Sequence, residues 1–276
     1  MKGSRSKLYG AWFCYTFVML LDWDPVALAI GPVHIHWYGL MYVLGFAGFW
    51  LLGIRHARRA HTAVAPEQVS DLLFYGALGA IIGGRLGFAL FYHSGHLPAD
   101  PWMIFRIWEG GMSFHGGLLG VLVAVGLWQR KSNIGWLATV DFCAPMVPVG
   151  LFFGRIGNFI NGELWGRPTD LPWGVIFPAA GPEPRHPSQL YEAALEGIVL
   201  FVILWWFARK PRTVGTVAAV FALGYSIARF TVEFVRLPDA HLGYLAFGWL
   251  TMGQLLCVPL ALAGVAMAWY ARSGRS

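Results

Sequence analysis

The run SDLLFYGALGAIIGGRLGFALFY, residues 70–92, decides how this chain folds. Crossing the hydrocarbon layer of a membrane takes about 20 mostly apolar residues in helix, and this run is long enough. Its apolar residues are continuous rather than alternating, so it reads as a helix and not as a barrel strand. Gly76, Gly79, Gly83, Gly84 and Gly87 leave bare backbone against which another helix can pack closely. Arg85 sits among them, although a charge in hydrocarbon is costly and is usually kept for a function.

Six further segments read the same way: 34–54, 112–128, 135–156, 188–208, 215–235 and 245–270. The composition agrees. Only 12% of the residues are charged and 57% are hydrophobic, with mean hydropathy +0.56, whereas soluble domains carry about a quarter charged residues. The 14 Trp and 20 Phe suit the two interfaces of a bilayer. Backbone groups inside a membrane must be satisfied within the chain. The expectation is an all-α integral membrane protein built as a bundle of seven transmembrane helices. A net charge of +6 would suggest nucleic acid in a soluble protein. Here it reads as basic loops on the cytoplasmic side, and no nucleic-acid partner is expected.

Seven spans put the termini on opposite sides. The regions 55–69, 129–134, 209–214 and the tail after Tyr270 carry Arg55, Arg58, Arg59, Arg130, Lys131, Arg209, Lys210, Arg212, Arg272 and Arg275. The opposite side has Lys2, Arg5, Lys7, Arg106, Arg167 and Arg185. The positive-inside bias places the first set in the cytoplasm, with the N-terminus out and the C-terminus in. The outer loops then lie around 93–111, 157–187 and 236–244. Residues 24–276 form one membrane domain, preceded by an extension, 1–23. Its apolar stretch, 8–21, is short for a span and has no Ala-x-Ala cleavage pattern after it. An interfacial helix and a true start at Met19 are both open.

In this topology Arg85, Arg155, Arg229, Arg236, His36, Tyr38, His115, Glu192 and Glu196 all converge on the outer leaflet. The inner half holds only Asp141 by comparison. Four arginines suit a phosphate or carboxylate, because guanidinium offers a planar fork of donors and keeps its charge; the abundant phosphate in a membrane is the lipid headgroup. The alternative is that the arginines lock helices together by pairing with Glu163, Glu192, Glu196 and Glu233. Arg155 lies in GRIGNFINGE, residues 154–163, where Asn158 and Asn161 can orient an oxygen-rich ligand. His115 lies in GGMSFHGG, residues 110–117. Paired glycines leave it open to a close ligand, and imidazole is the side chain best suited to proton transfer near neutral pH. His93, His96, His186 and His241 give no metal-ligand spacing, so no metal or cofactor is expected. Cys14, Cys143 and Cys257 are far apart in apolar stretches and read as buried small side chains.

The motifs His36-Trp37-Tyr38-Gly39, Gly84-Arg85-Leu86-Gly87, Ser113-Phe114-His115-Gly116-Gly117, the run from Gly154 to Arg167, His186-Pro187-Ser188-Gln189-Leu190-Tyr191-Glu192 and Arg229-Phe230-Thr231-Val232-Glu233-Phe234 stand in one order along the chain. In these motifs the chain resembles the prolipoprotein diacylglyceryl transferases of bacteria, from about Asp24 to the last helix. The resemblance implies a seven-helix membrane bundle with a small periplasmic head, in the inner membrane. It implies transfer of the diacylglyceryl group of phosphatidylglycerol to the lipobox cysteine thiol in the signal peptide of a preprolipoprotein, forming a thioether and releasing glycerol phosphate. It places important residues at Tyr38, His115, Arg155, Asn158, Gly166, Tyr225 and Arg229.

Those residues suggest a division of labour. His115 takes the thiol proton, and Arg155 and Arg229 stabilise the leaving phosphate. Tyr38, Asn158 and Tyr225 hold the headgroup, Gly166, Arg85, Arg236, Glu163 and Glu233 complete the substrate-binding set, and Glu163 and Glu233 position arginines rather than act as bases. The rival readings are an anionic-lipid transporter or flippase, another histidine-dependent membrane acyltransferase, and a non-catalytic assembly factor.

Overall fold

Helices occupy all seven of the apolar segments. A computed structural model describes residues 19–31, 33–92, 100–106, 111–238 and 243–274, without the side chains at 33, 91, 92, 114 and 115. The extension before Met19, with Lys2, Arg5, Lys7 and Cys14, lies outside the described residues, as do His93, His96 and His241. The helices are α1 Trp37–Ala57, α2 Val69–Tyr92, α3 Phe114–Ser132, α4 Trp136–Cys143, α5 Val147–Ile160, α6 Ser188–Glu192, α7 Leu200–Phe207, α8 Thr216–Val232 and α9 Met252–Arg272. A π-helical turn, Ala193–Val199, joins α6 to α7.

Four stretches are long and apolar enough to cross a membrane: Trp37–Ala57, Pro66–Leu90, Ser188–Phe207 and Met252–Arg272. The pair α4 and α5, bent by 52°, makes a fifth if counted as one span. The outward faces are apolar: Val43 is 61% exposed, Phe74 63%, Val202 58% and Ile227 68%. Water would penalise such faces and hydrocarbon does not. The chain is therefore a mostly helical membrane protein.

Three sequence expectations are corrected. The segment 135–156 is not one helix, because Pro145 lacks the N–H needed to continue α4 while Pro148 fits the first turn of α5. The last helix begins at Met252 rather than 245. Phe247 and Gly248 both have positive φ, 55° and 68°, and close a turn in which Leu245 N–H donates to Leu250 O at 2.8 Å. The chain also contains short strands. β1 Met19–Leu20 pairs in parallel with β4 Val175–Ile176, and β2 Val26–Ile30 pairs with β3 Val33–His36 around Gly31. Their Val and Ile content favours extended backbone, and β3 runs directly into α1. Around β1 and β4, Leu21, Phe159, Val175 and Phe177 form a small buried core.

Within a membrane, helices associate by close packing rather than by expulsion of water. Here α2 and α3 meet glycine to glycine. A Cβ on Gly79 would lie 2.5 Å from Gly120 O, one on Gly83 2.7 Å from Gly120 Cα, and one on Gly87 2.7 Å from Gly116 Cα. At one end of the bundle, Asp141 of α4 accepts from Gly215 N–H at 2.6 Å and Ala218 N–H at 2.7 Å, capping the start of α8. Near that end Arg59 and His61 both reach Ala208 O at the end of α7, each at 3.1 Å.

Candidate functional site

The opposite ends of α5 and α8 and the starts of α6 and α9 carry a buried ionic cluster. Arg155 comes from α5, Glu192 from α6 and Glu196 from the π-helical turn. Arg229 lies in the last turn of α8, Glu233 caps its C-terminus and Arg236 follows. Arg155 Nε lies 3.0 Å from Glu192 Oε2, and its Nη2 lies 3.4 Å from Glu196 Oε2. Arg229 Nη1 pairs with Glu192 Oε1 and Arg229 Nη2 with Glu233 Oε1. Arg236 Nη1 reaches Glu192 Oε1 at 3.2 Å. Glu192 thus serves three arginines at once.

The cluster is layered. The side chains of Glu192 and Glu196 are 0% exposed and that of Glu233 3%, whereas Arg155 keeps 17% and Arg229 13%. The carboxylates lie behind and the guanidinium groups face the accessible side. Three positive and three negative charges cancel in total, which lets the cluster exist at low dielectric. Their separation into layers still presents the positive side to an incoming anion. A π-helical turn is uncommon and often marks a functional position; here it carries Glu196, while Gly197 admits Phe152 of α5 so closely that a Cβ would meet its Cβ at 2.7 Å.

A second group adjoins Arg155 one helical turn on. Asn158 Nδ2 donates to Glu163 Oε1 at 2.8 Å, and the Tyr38 ring, edge-on to Tyr42 with centroids 5.2 Å apart, packs against the same turn of α5. Gly157 makes this possible, because a Cβ there would stand 2.9 Å from the Tyr38 ring. The Glu163 backbone is fixed from α6: Gln189 Nε2 donates to Glu163 O at 2.6 Å and Ser188 Oγ to Leu164 O at 2.9 Å. Leu164 has φ 60°, unusual for a side chain of its size.

Gly166 lies where three backbones cross. Its N–H donates to His186 O at 2.9 Å, and a Cβ would be 2.6 Å from both His186 Cβ and Val235 O. Tyr225 stacks on Phe221 one turn before Arg229, with ring centroids 5.9 Å apart. Arg85 is engaged differently. Its guanidinium donates to Ile104 O at 3.3 Å, Gly111 O at 3.1 Å, Met103 O at 2.6 Å and Arg106 O at 2.8 Å. These bonds tie residues 103–106 and Gly111 to α2, and none of them goes to the ionic cluster. His115 lies in the first turn of α3, which Ser113 caps by accepting from Gly116 N–H at 3.2 Å; its side chain is outside the described residues. Sequence reading passed over Thr251 and Gln254, which bring the start of α9 to the cluster: Thr251 Oγ1 donates to Glu233 Oε2 at 2.6 Å. The Thr-x-x-Gln pattern of a capping box was the available signal. No group of three potential metal ligands occurs among the described residues.

Residues 25–270 match the family model described as prolipoprotein diacylglyceryl transferase. The chain is 59% identical over 251 residues to the phosphatidylglycerol–prolipoprotein diacylglyceryl transferase of Chromohalobacter salexigens, covering 91% of this chain and 93% of that one. It is 59% identical over 252 residues to the protein of that name from Methylococcus capsulatus, with 90% and 96% covered. Identity to the one from Nitratidesulfovibrio vulgaris is 58% over 242 residues, with 88% and 91% covered.

Proposed function

This chain belongs to the prolipoprotein diacylglyceryl transferase family, and from that premise we propose that its layered arginine cluster is where the phosphate of phosphatidylglycerol is held while the diacylglyceryl group moves to a prolipoprotein. The protein is a transferase of lipoprotein biosynthesis. The acceptor is the thiol of the lipobox cysteine. A free thiol has a pKa of about 8.5 and reacts as thiolate. His115 takes its proton, and the sulfur attacks the glyceryl carbon bonded to the phosphate ester oxygen. A C–S bond forms, the C–O bond breaks, and the electron pair leaves with the oxygen. The phosphodiester, with one negative charge, becomes glycerol phosphate with two.

That second charge is what the arginines serve. Arg155 and Arg229 face the accessible side, and donors already in place need no reorganisation as charge develops. Tyr38, Asn158 and Tyr225 hold the headgroup, and Gly166 keeps the crossing of the three backbones closed beside it. Glu192, Glu196 and Glu233 fix the arginines in place, with Arg236 bridging Glu192 and Glu233, whereas Glu163 holds Asn158 rather than an arginine. Arg85 holds residues 103–106 and Gly111 against α2, whose Gly84 O in turn accepts from Ser113 N–H at the start of α3. The bundle has seven spans, with the N-terminus outside and the cluster end in the outer leaflet of the inner membrane, under a small periplasmic head formed around β1, β4 and residues 161–187. The basic residues at the Asp141 end, among them Arg59, Arg130 and Lys131, support this orientation.

The observation that carries the reading is the burial of three glutamates behind two partly accessible arginines. Purified Arg229→Ala, given labelled phosphatidylglycerol and a lipobox peptide, should lose about 100- to 1000-fold in turnover while the helix content persists. Normal turnover would remove the phosphate role. Product formed from acyl thioesters but not from phosphatidylglycerol would favour an acyltransferase instead.

A further inference from the structure

Thr251 begins α9 with a reciprocal capping box. Its hydroxyl accepts from Gln254 N–H at 3.2 Å, and Gln254 Oε1 accepts from Thr251 N–H at 3.0 Å. A threonine hydroxyl has one proton left to give, and here it goes to Glu233 Oε2 at 2.6 Å. Thr251 is 2% exposed. The carboxylate lies so close over α9 that a Cβ on Gly253 would stand 2.5 Å from Glu233 Oε1. The first turn of α9 has no acidic residue of its own. Glu233, delivered from the end of α8, fills the position where a helix N-terminus favours negative charge.

The two oxygens of Glu233 therefore have different polar partners. Oε2 takes the Thr251 hydroxyl, while Oε1, which lies over Gly253, pairs with Arg229 Nη2 and, at 3.7 Å, Arg236 Nε. We infer that Thr251 and the start of α9 act as a positioning device for Arg229, drawing the charge of Glu233 toward α9 so that Arg229 keeps its positive potential for the lipid phosphate. The inference rests on the reading that Arg229 meets that phosphate. Without the hydroxyl, Oε2 loses its neighbour and the full carboxylate charge turns to the arginines. The transition state, in which the phosphate is gaining its second charge, then loses more than the bound substrate does.

The test is the kcat and KM for phosphatidylglycerol of the full-length protein and of Thr251→Val, Thr251→Ser and Gly253→Ala, with thermal denaturation measured alongside. Thr251→Val should lose about tenfold to 100-fold in kcat, the size seen when an outer partner of a site is removed, with KM little changed. Thr251→Ser restores both the cap and the donor, so its kcat should return toward wild type. Gly253→Ala leaves the cap intact and favours helix, yet displaces Glu233; its kcat should fall while its helix holds. A merely structural cap predicts the opposite split: Thr251→Val loses stability at normal kcat, and Gly253→Ala is stable and fully active. That split, with Arg229→Ala inactive, overturns the inference and leaves the phosphate role standing. Full turnover by Arg229→Ala overturns the reading beneath it.

Discussion

Two glycines on the same helix should respond to the same substitution with opposite signs. Alanine at Gly83 would place a Cβ 2.7 Å from Gly120 Cα, with Gly116 O nearer still, while alanine at Gly76 meets nothing within 4 Å. Carbon atoms rest about 3.5–4.0 Å apart, so Gly83→Ala drives α2 and α3 apart by roughly 1 Å. Alanine gains about 1 kcal/mol over glycine in a helix interior. At Gly76 that gain stands alone. At Gly83 it is set against overpacking at the upper end of the usual range, about 2–3 kcal/mol, because backbone cannot rotate away, so the net should be a loss of about 1–2 kcal/mol. Function magnifies the difference. The start of α3 carries Ser113, bonded to Gly84 O of α2 at 2.9 Å, and then His115. A shift of about 1 Å at a reacting group can cost about 100-fold. Thermal denaturation in detergent, with turnover on phosphatidylglycerol and a lipobox peptide, would measure both effects. Equal stability and activity in the two variants would refute the claim that bare backbone contact sets the α2–α3 distance.

Asp141→Ala removes both acceptors that cap α8 and should cost about 1–2 kcal/mol of stability. Turnover per folded molecule should change little, because Ala218 and Arg229 are separated by about 16 Å of helix at 1.5 Å per residue; a kinetic loss as large as that of Arg229→Ala would contradict this. His186 makes stability depend on pH. Trp173 Nε1 can only donate, and it gives to the Tyr191 hydroxyl at 2.8 Å, leaving the hydroxyl proton for His186 Nδ1 at 3.2 Å. Burial first, and then the Arg167 charge, hold His186 below the ordinary histidine range. Well above the ordinary histidine pKa of about 6.5 the ring is neutral whether the chain is folded or not, and it contributes no slope. Below that the unfolded chain takes a proton that the folded one refuses, so stability falls with pH until the folded pKa is passed. Melting temperatures of wild type and His186→Gln between pH 7.5 and 5 should diverge only in the acidic half; parallel curves would exclude His186 as the source.

The seven helical segments were legible because length and apolarity are properties of the residues themselves. What interrupts them was less so. Pro145 and Pro148 were visible, but hydropathy ran through them, and only the 52° bend separates α4 from α5. The start of α9 was misplaced because Leu245, Ala246, Phe247, Trp249 and Leu250 are as apolar as a helix. Two positive φ angles and a threonine cap decide the matter there, and hydropathy weighs neither. The ionic cluster was legible as a gathering of Arg155, Arg229, Arg236 and glutamates at one end. Its layering was not, since burial of Glu192 and Glu196 behind the arginines depends on which way each side chain turns. Arg85 had the same appearance in sequence as Arg155. Its described hydrogen bonds go to backbone carbonyls, which every residue has and which sequence therefore cannot distinguish.

Glu192 and its three arginines also bear on how the protein enters the bilayer. Synthesis delivers α5 and α6 before α8. As a hairpin, α5 and α6 bring one arginine and two glutamates, Arg155 against Glu192 and Glu196, and so carry one unbalanced negative charge. The end of α8 brings Arg229, Glu233 and Arg236, one unbalanced positive charge, with Arg229 and Glu233 already paired four residues apart. Each piece alone holds a charge that hydrocarbon penalises by about 2.5–3.5 kcal/mol at mid-depth, and less near a helix end. Docking of α8 onto the earlier hairpin cancels both at once. The same carboxylate that aligns the arginines in the folded protein is thus also where the charge of the late helix end and that of the early pair can cancel.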